Sequence, residues 1–325
     1  MHITPDTKLS DIFPLPEFLP MRGQFISSNT DWFSGGKEQM SLRQLGELQK
    51  TWSVSDMITG INRLRQIAQK QKPYVYPLVP DHPSRLICMP AEKKTTKTIC
   101  LLLAGGAYGA VCSLAESIPA AAKLNDLGMD CYCLNYRTAT PDSMVHGLMP
   151  QPLEDIALSL KFIRNHFHLP SYWMAGFSAG GHACALWGTK HVGARAYSLP
   201  QPNALLLAYP LISLLNLPSG PVRDFMMQGL FGTGHNHDLA QKYSAHLHVD
   251  TGYPPVFLIK ARDDDTVPSK DADEMEEALR NAVIPYRFDI VPSGGHGFGL
   301  GSETSAAGWI ERAASWVNGR DTGEK

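Results

Sequence analysis

Hydrophobic and polar positions follow two different patterns on either side of residue 73. Residues 1 to about 35 interleave large apolar side chains with prolines, which excludes a long helix and argues against a solvated tail. We therefore expect this N-terminal arm to pack on the body of the protein or on a partner subunit. Residues 54–69 carry apolar side chains at helical spacing, so they predict a helix that Ser53 or Ser55 can cap. Its apolar stripe faces either the core or a dimer partner and consists of Met57, Ile58, Ile61, Leu64 and Ala68.

Short apolar strands alternate with helical segments in the rest of the chain. Strands 74–78 and 84–88 are predicted to form a leading antiparallel pair. Further strands are predicted at 98–103, 130–136, 172–175, 204–208, 255–261 and 286–291, and helices at about 114–127, 152–167, 181–187, 270–281 and 306–317. This alternation predicts an α/β fold, a doubly wound, mostly parallel sheet with helices on both faces.

The predicted domain organisation is simple. Residues 1–72 form the N-terminal arm and helix, and residues 73–325 form the α/β domain. Residues 211–249 interrupt the alternation where an insertion would cover the carboxyl ends of the strands, which is where such sheets bind ligands. We interpret them as a small lid.

The most specific motif is Gly176-Phe177-Ser178-Ala179-Gly180, which reads G-x-S-x-G between a predicted strand and a predicted helix. Flanking glycines permit a turn too tight for side chains, and that turn makes the serine Oγ project. The N-terminus of the following helix offers backbone N–H groups and the positive end of its dipole, which favour an oxyanion. We interpret Ser178 as the nucleophile of a serine hydrolase.

A serine hydroxyl needs a base, and His296 is the best placed of the 12 histidines. It follows the last predicted strand, where flanking glycines let the backbone carry the imidazole over the strand ends. His182 is less suitable, because it lies in the helix after the serine and would point away from Oγ. Asp263, Asp264 and Asp265 all follow a predicted strand, and the spacing alone does not choose which of them orients the base.

Backbone donors for an oxyanion are expected in the loop Ala104-Gly105-Gly106-Ala107-Tyr108, which follows the strand 98–103. The N–H groups of Gly106 and Ala107 would act together with that of Ala179. The alternative is a tight turn in which the glycines serve geometry only.

The lid segment contains two sets of residues with open interpretations. Its histidines form H-x-H pairs, a spacing that could bind a metal ion. Acidic residues at matching ligand spacing are limited to Asp238 and Asp250, so we interpret the histidines as solvated side chains. Its large apolar residues either line an acyl pocket or pack the lid. The histidines are His235, His237, His246 and His248, and the apolar residues are Phe225, Met226, Met227, Leu230 and Phe231. We predict neither a metal nor a cofactor.

Composition limits the partners. The 325 residues are 43% hydrophobic and 18% charged, and the net charge of −2 argues against nucleic acid or an anionic membrane as the main partner. No apolar run is long enough to span a membrane, and the N-terminus lacks the basic and apolar regions of a signal peptide. The six cysteines form no C-x-x-C pair, so we expect reduced, buried thiols in a cytoplasmic protein.

Four motifs in this order resemble those of the α/β-hydrolase superfamily, in its acetyl-esterase and feruloyl-esterase-like (acetylxylan esterase-like) branch. The elbow at 176–182 is similar to G-x-S-A-G-G-H, and the loop 104–108 is similar to H/P-G-G-G-Y. Residues 254–257 and 264–268 resemble P-P-x-F…D-x-x-V-P, and residues 295–299 resemble G-x-H-G-F. The resemblance covers about residues 73 to 320. It departs from the branch at Ala104 and Ala107, and the Cβ of Ala107 narrows the acyl side of the pocket.

The resemblance implies a triad of Ser178, Asp264 and His296, and so selects Asp264 among its neighbours. It also implies a serine esterase that acts on small carboxylic esters, such as acetyl groups on a sugar or xylan fragment, through an acyl-enzyme. The predicted partner is a small-molecule ester, and the N-terminal arm offers a possible homo-oligomer contact. Two alternatives stay open at this point. One is a small-molecule amidase, arylformamidase or peptidase on the same triad, and the other is a non-catalytic binding module.

Overall fold

An eight-stranded sheet lies at the centre of the structure, a computed structural model that describes residues 1–21, 24–28, 36–78, 84–167, 171–234 and 236–321. The strands in chain order are β1 (Ser27–Ser28), β2 (Val75–Pro77), β3 (Arg85–Met89), β4 (Ile99–Leu103), β5 (Ala110–Val111), β6 (Cys131–Asn135), β7 (Tyr172–Phe177), β8 (Ala204–Ala208), β9 (Val256–Ala261) and β10 (Tyr286–Val291). Strands β1 and β5 form a separate antiparallel pair.

The strand order in the large sheet is β10-β9-β8-β7-β4-β6-β3-β2. From β10 to β6 all neighbours are parallel, whereas β3 pairs antiparallel with β6 and with β2. The mostly parallel sheet and its leading antiparallel pair are therefore confirmed. Strand β7 lies between β4 and β8, so the residues that follow it emerge at the middle of the sheet edge.

Helices connect most of the strands. They are α1 (Leu9–Ile12), α2 (Leu42–Gln49), α3 (Val54–Lys70), α4 (Ser117–Asp126), α5 (Ser143–His146), α6 (Gln151–Phe167), α7 (Ala179–Gly188), α8 (Pro221–Phe231), α9 (His237–Lys242), α10 (Ser269–Asn281) and α11 (Trp309–Asp321). Within the described ranges, no helix combines the length and the apolar character needed to cross a membrane.

Each face of the sheet carries its own hydrophobic core, because successive strand residues point to opposite faces. In β4, Cys100 and Leu102 join one cluster, while Leu101 and Leu103 join the other. The first cluster includes residues of α3, α4 and α11, and the second includes residues of α6, α7, α8 and α10. Helices therefore cover both faces of the sheet, as the alternating pattern predicts.

The structure shows which way the apolar stripe of helix α3 faces, a point that the sequence leaves open between the core and a dimer partner. Met57, Ile61 and Leu64 are fully buried in the core of the same chain. Ser53 caps the helix, since its Oγ accepts the N–H of Asp56 at 3.2 Å. The stripe is thus a core stripe.

Helix α2 is absent from the sequence prediction, because its eight residues are too few for a clear periodic pattern. Its start depends on a reciprocal capping box, a local contact that stabilises a helix too short to be stable alone. The N–H of Gln44 donates to Ser41 Oγ at 3.2 Å, and the Gln44 side chain accepts the N–H of Ser41 at 2.9 Å. The four-residue helices α1 and α5 are not predicted either, because they too are short for a periodic pattern.

The N-terminal arm packs on the body of its own chain. Ile12, Phe18 and Phe25 are fully buried, and the Phe18 and Phe25 rings meet edge to face with centroids 5.4 Å apart. Hydrogen bonds tie the arm to the domain, among them those from Tyr74 Oη to the carbonyl of Glu17 at 2.6 Å and from Leu114 N–H to the carbonyl of Phe25 at 2.8 Å. Assembly into an oligomer through this arm stays a prediction.

Replacing Phe18 with alanine should lower the free energy of unfolding by about 3–5 kcal/mol, because it leaves a cavity between the arm and the body. Leu19→Ala is the matched control, since Leu19 is 59% exposed and should change stability by less than about 0.5 kcal/mol. Urea unfolding of both variants measures the difference. Equal, small effects would show that the arm is not part of the folded core.

Candidate active site

The backbone at Ser178 adopts a strained conformation between β7 and α7, with φ 49° and ψ −117°. A non-glycine residue at positive φ is costly, and such strain is kept only where its surroundings enforce it. Both flanking glycines are required. A Cβ on Gly176 would lie 2.6 Å from the carbonyl oxygen of Gly180, and a Cβ on Gly180 would collide with the carbonyl oxygen of Leu103. The sharp strand–turn–helix predicted for the G-x-S-x-G motif is therefore present.

Ser178, His296 and Asp264 form a continuous hydrogen-bonded chain. Ser178 Oγ lies 2.8 Å from His296 Nε2, and His296 Nδ1 lies 3.0 Å from Asp264 Oδ2. With the carboxylate accepting the Nδ1 proton, Nε2 is left as an acceptor for the serine hydroxyl. The three residues come from loops after β7, β10 and β9, which end at the same edge of the sheet.

The side chain of Asp264 is fully buried, yet it has four donors. Its Oδ1 accepts the N–H groups of Thr266 and Val267, both at 3.0 Å, and Lys260 Nζ lies 3.1 Å from Oδ2. Burial opposes ionisation of the carboxyl, but the bond from His296, the N–H of Val267 and the ammonium of Lys260 outweigh it and lower the pKa below its usual value. The carboxylate is thus held charged and fixed.

Lys260 is a residue that sequence reasoning missed. It is 3% exposed in β9, and its Nζ also donates to the carbonyl of Val267 at 2.5 Å. The signal was present as a single lysine inside an apolar strand, because a buried lysine nearly always has a partner. That partner is Asp264, four residues later.

The structure brings only Asp264, of the three consecutive aspartates, to the histidine. Asp263 accepts the N–H groups of Gly294 and Gly295 at 3.0 and 2.8 Å, so it braces the loop that carries His296. Asp265 is exposed and accepts the hydroxyl of Thr266 at 3.2 Å.

The loop after β4 lies against the serine, as the sequence predicts. A Cβ on Gly105 would stand 2.8 Å from Ser178 Cβ, so this close approach requires glycine. Gly106, Ala107 and Tyr108 follow at positive φ, with values of 132°, 51° and 59°. Ala107 and Ala179 both line the cavity beside Ser178.

A buried carboxyl, also missed from the sequence, connects this loop to the loop that carries the histidine. Glu116, only 3% exposed, accepts the N–H of Gly105 at 2.5 Å and the hydroxyl of Tyr209 at 2.8 Å. The Tyr209 oxygen in turn accepts the N–H of Gly299 at 2.9 Å. The Tyr209 ring also meets the His296 ring edge to face, with centroids 5.1 Å apart. Burial raises the pKa of Glu116 to about 7.

His182 takes no part in the chain of hydrogen bonds at Ser178. It is fully buried, with Nδ1 2.7 Å from Tyr108 Oη and Nε2 2.7 Å from the carbonyl of Tyr243. Burial lowers its pKa to about 4, so the ring is neutral at neutral pH. It links the loop after β4 to the end of the lid.

The interpretation of the lid histidines as solvated is wrong for His246, and His248 is half-buried. The His246 side chain is only 10% exposed and lies 3.4 Å from Glu274, because the lid folds back on α10. His248 Nε2 lies 3.0 Å from the carbonyl of Gln241. His237 is exposed, and His235 lies outside the described residues. In the described part of the chain, no group of three potential ligand side chains could hold a metal ion.

Two cavities meet at Ser178. The lid cavity, about 410 Å³, has a mostly apolar lining that also contains Arg223, and its apolar residues are Ala107, Ala179, Leu211, Leu217, Pro218, Pro221, Met226 and Val267. The N-terminal cavity, about 460 Å³, is lined by several polar side chains, among them Gln49, Lys50, Thr51, Asp263 and His296, and by Trp52, although most of its lining surface is apolar. Ser178 lines both.

The large apolar residues of the lid divide between the two roles that the sequence leaves open. Met226 lines the lid cavity. Met227, Leu230 and Phe231 are buried in the hydrophobic cluster beneath it, so they pack the lid. Phe225 lies against Gly109 of the loop after β4, close enough that a Cβ there would stand 2.9 Å from its ring.

Comparison with known proteins adds a family and several relatives. The family model described as BD-FAE matches residues 86–279. Endo-1,4-beta-xylanase B of Butyrivibrio fibrisolvens is 27% identical over 220 residues, which is 64% of this chain and 34% of that protein. Acetylxylan esterase of Xylanibacter ruminicola is 28% identical over 254 residues, which is 75% of this chain and 50% of that protein.

A solved structure also resembles this fold. The acetyl ester-xyloside bifunctional hydrolase from Caldicellulosiruptor lactoaceticus is 26% identical, with a TM-score of 0.62 over 79% of this chain and 94% of that chain. The α/β-hydrolase fold expected from the sequence motifs is confirmed. The chain spans about a third and about half the length of the two curated relatives.

Glu116→Gln should change how stability depends on pH. The folded state holds the Glu116 proton up to about pH 7, whereas the unfolded chain releases it near 4.5. The wild type should therefore lose on the order of 3 kcal/mol of stability, relative to the Gln variant, as pH rises through that window. Urea unfolding of both proteins at pH 4.5, 6 and 8 measures this difference. A difference that stays constant with pH would contradict the burial of an ionisable Glu116.

Proposed function

Because the chain belongs to the BD-FAE family of α/β-hydrolases, we propose that it is a serine esterase that cleaves acetyl esters of a sugar or xylo-oligosaccharide. The observation that carries the proposal is the hydrogen-bonded chain from Ser178 through His296 to Asp264 at the meeting point of two cavities. The substrate class is supported by the acetylxylan esterase and the acetyl ester-xyloside hydrolase to which the chain is similar.

In the acylation half, Ser178 Oγ attacks the acyl carbon while His296 Nε2 takes the hydroxyl proton. The new Oγ–C bond forms as the carbonyl π electrons move onto oxygen. Asp264 stabilises the resulting imidazolium and keeps its ring oriented. The tetrahedral intermediate then collapses, the bond to the alcohol oxygen breaks, and His296 protonates the departing alkoxide.

In the deacylation half, a water molecule repeats these steps. His296 removes a proton from the water, whose oxygen attacks the acyl carbon. Collapse of the second tetrahedral intermediate breaks the bond to Ser178 Oγ, and His296 returns the proton to the serine. The products are the carboxylic acid and the free enzyme, so no cofactor is consumed.

The oxyanion of both intermediates would be held by the N–H groups of Gly106, Ala107 and Ala179. This assignment rests on the positions of the donors, since the loop after β4 and the first turn of α7 both border Ser178. Each such donor contributes about 3 kcal/mol to lowering the barrier in a serine hydrolase. Glu116 would keep the loop in place through its bond to the N–H of Gly105.

Hydrolysis of p-nitrophenyl acetate should depend strongly on Asp264 and weakly on its neighbour. Asp264→Asn should lower kcat by about 10³–10⁴-fold, because the amide cannot hold His296 in the required tautomer. Asp263→Asn is the matched comparison and should lower it less than about tenfold, since its amide oxygen still accepts an N–H of the loop. Ser178→Ala should abolish serine-dependent turnover. Equal effects at Asp263 and Asp264 would contradict the assignment of the triad.

The same assay, extended over acyl chain length and leaving group, tests the substrate class. Highest activity on acetate supports the acetyl esterase. A maximum at decanoate would keep the serine mechanism but assign the lid cavity to longer acyl chains. Faster turnover of p-nitroacetanilide than of the matched ester would favour an amidase instead.

A further inference from the structure

The proton transfer in the proposed reaction distinguishes the two cavities at Ser178. His296 must protonate the departing alkoxide, so the leaving alcohol has to lie within reach of its Nε2. His296 lines the N-terminal cavity together with Gly295 and Gly297, whereas Ala179 and Met226 line the lid cavity and Ala107 lines both. An alcohol in the N-terminal cavity would therefore lie within reach of His296, with the acyl group in the lid cavity.

One wall of the N-terminal cavity comes from residues 49–52, the last residue of α2 and the turn that follows it. These residues lie outside the stretch 86–279 that the family model matches. Contacts hold them against the base loop. Thr51 Oγ1 donates to the carbonyl of His296 at 2.9 Å, and a Cβ on Gly295 would stand 3.0 Å from the Thr51 methyl group.

The groups on this wall are free to bind hydroxyls. In the described part of the chain, the Gln49 amide, the Lys50 ammonium and the Trp52 indole N–H have no hydrogen-bond partner. Trp52 Nε1 lies 3.9 Å from the point where a Cβ on Gly297 would stand, so it lies close to the base loop. An amide, an ammonium and an indole N–H on one wall suit a molecule with several hydroxyls.

We propose that residues 49–52 form the subsite for the leaving alcohol and select a sugar ring over a simple alcohol. The inference rests on the proposed esterase function and adds to it the side of the site that recognises the sugar. The backbone of Lys50 supports this role. Its φ of 57° is strained for a non-glycine residue, and such strain clusters at functional sites.

Two variants remove side chains from this wall without loss of core packing. Lys50→Gly suits the positive φ, so it removes the ammonium and relieves backbone strain together. Gln49→Ala removes the amide from the last residue of α2. Val283→Gly is the matched control, since Val283 also has a positive φ, of 58°, and is 86% exposed after α10.

The experiment measures kcat/KM on two acetyl esters, a methyl xyloside with a single acetyl group and methyl acetate. We expect the ratio of the two values, xyloside over methyl acetate, to fall about tenfold in Lys50→Gly and in Gln49→Ala. The ratio should stay at the wild-type value in Val283→Gly. The loss should appear mainly in KM for the xyloside, because the wall binds the alcohol and does not touch the reacting bond.

Other outcomes overturn the inference in distinguishable ways. If both variants keep the wild-type ratio, the wall does not select the alcohol, although the esterase stands. If the wild type hydrolyses methyl acetate but not the acetylated xyloside, the esterase stands and the sugar subsite is refuted. If the wild type hydrolyses neither ester, the proposed function fails, and the inference fails with it.

Discussion

The strained backbone of Ser178 is the constraint on which the rest of the site depends. Such a conformation costs about 1–3 kcal/mol and persists only where the surroundings enforce it. Gly176 lets the first turn of α7 pack against the end of β7, and Gly180 lets α7 approach the backbone of β4, where a Cβ would collide with Leu103. Once β4 and β7 are adjacent, the loop after β4 must lie beside the serine. The loops after β9 and β10 end at the same edge of the sheet and carry Asp264 and His296.

Buried polar groups hold these loops together across the sheet edge. Lys260 and Asp264 join the two ends of the loop after β9, while Glu116 and Tyr209 connect the loop after β4 to the one after β10. Each group is buried with partners, so the loss of one leaves the others unsatisfied at a cost of about 1–3 kcal/mol. The positions of the nucleophile, base and backbone donors are thus coupled.

Features that depend on neighbouring residues could be predicted from the sequence. Features that depend on contacts between residues far apart in the chain could not. Local pattern predicts the strands, the long helices and the G-x-S-x-G turn, and the order of strand ends predicts His296. The choice of Asp264 depends on how three consecutive side chains point, which spacing does not encode. The bond of Thr51 to His296 joins residues 245 positions apart, and Glu116 and Lys260 have partners in other loops or later in the chain. His246 is misread because the fold of the lid onto α10 is a tertiary contact.

Direct detection of the acyl-enzyme tests the central claim, that Ser178 is the nucleophile of an ester hydrolase. The wild type, mixed with p-nitrophenyl acetate and quenched in acid, should carry one acetyl group on the peptide that contains Ser178. Peptide mass spectrometry should find that group neither in Ser178→Ala nor in urea-unfolded protein. An acetyl group on another residue, or turnover of the ester with no acyl group at Ser178 in the quenched sample and no burst of product, would contradict the account.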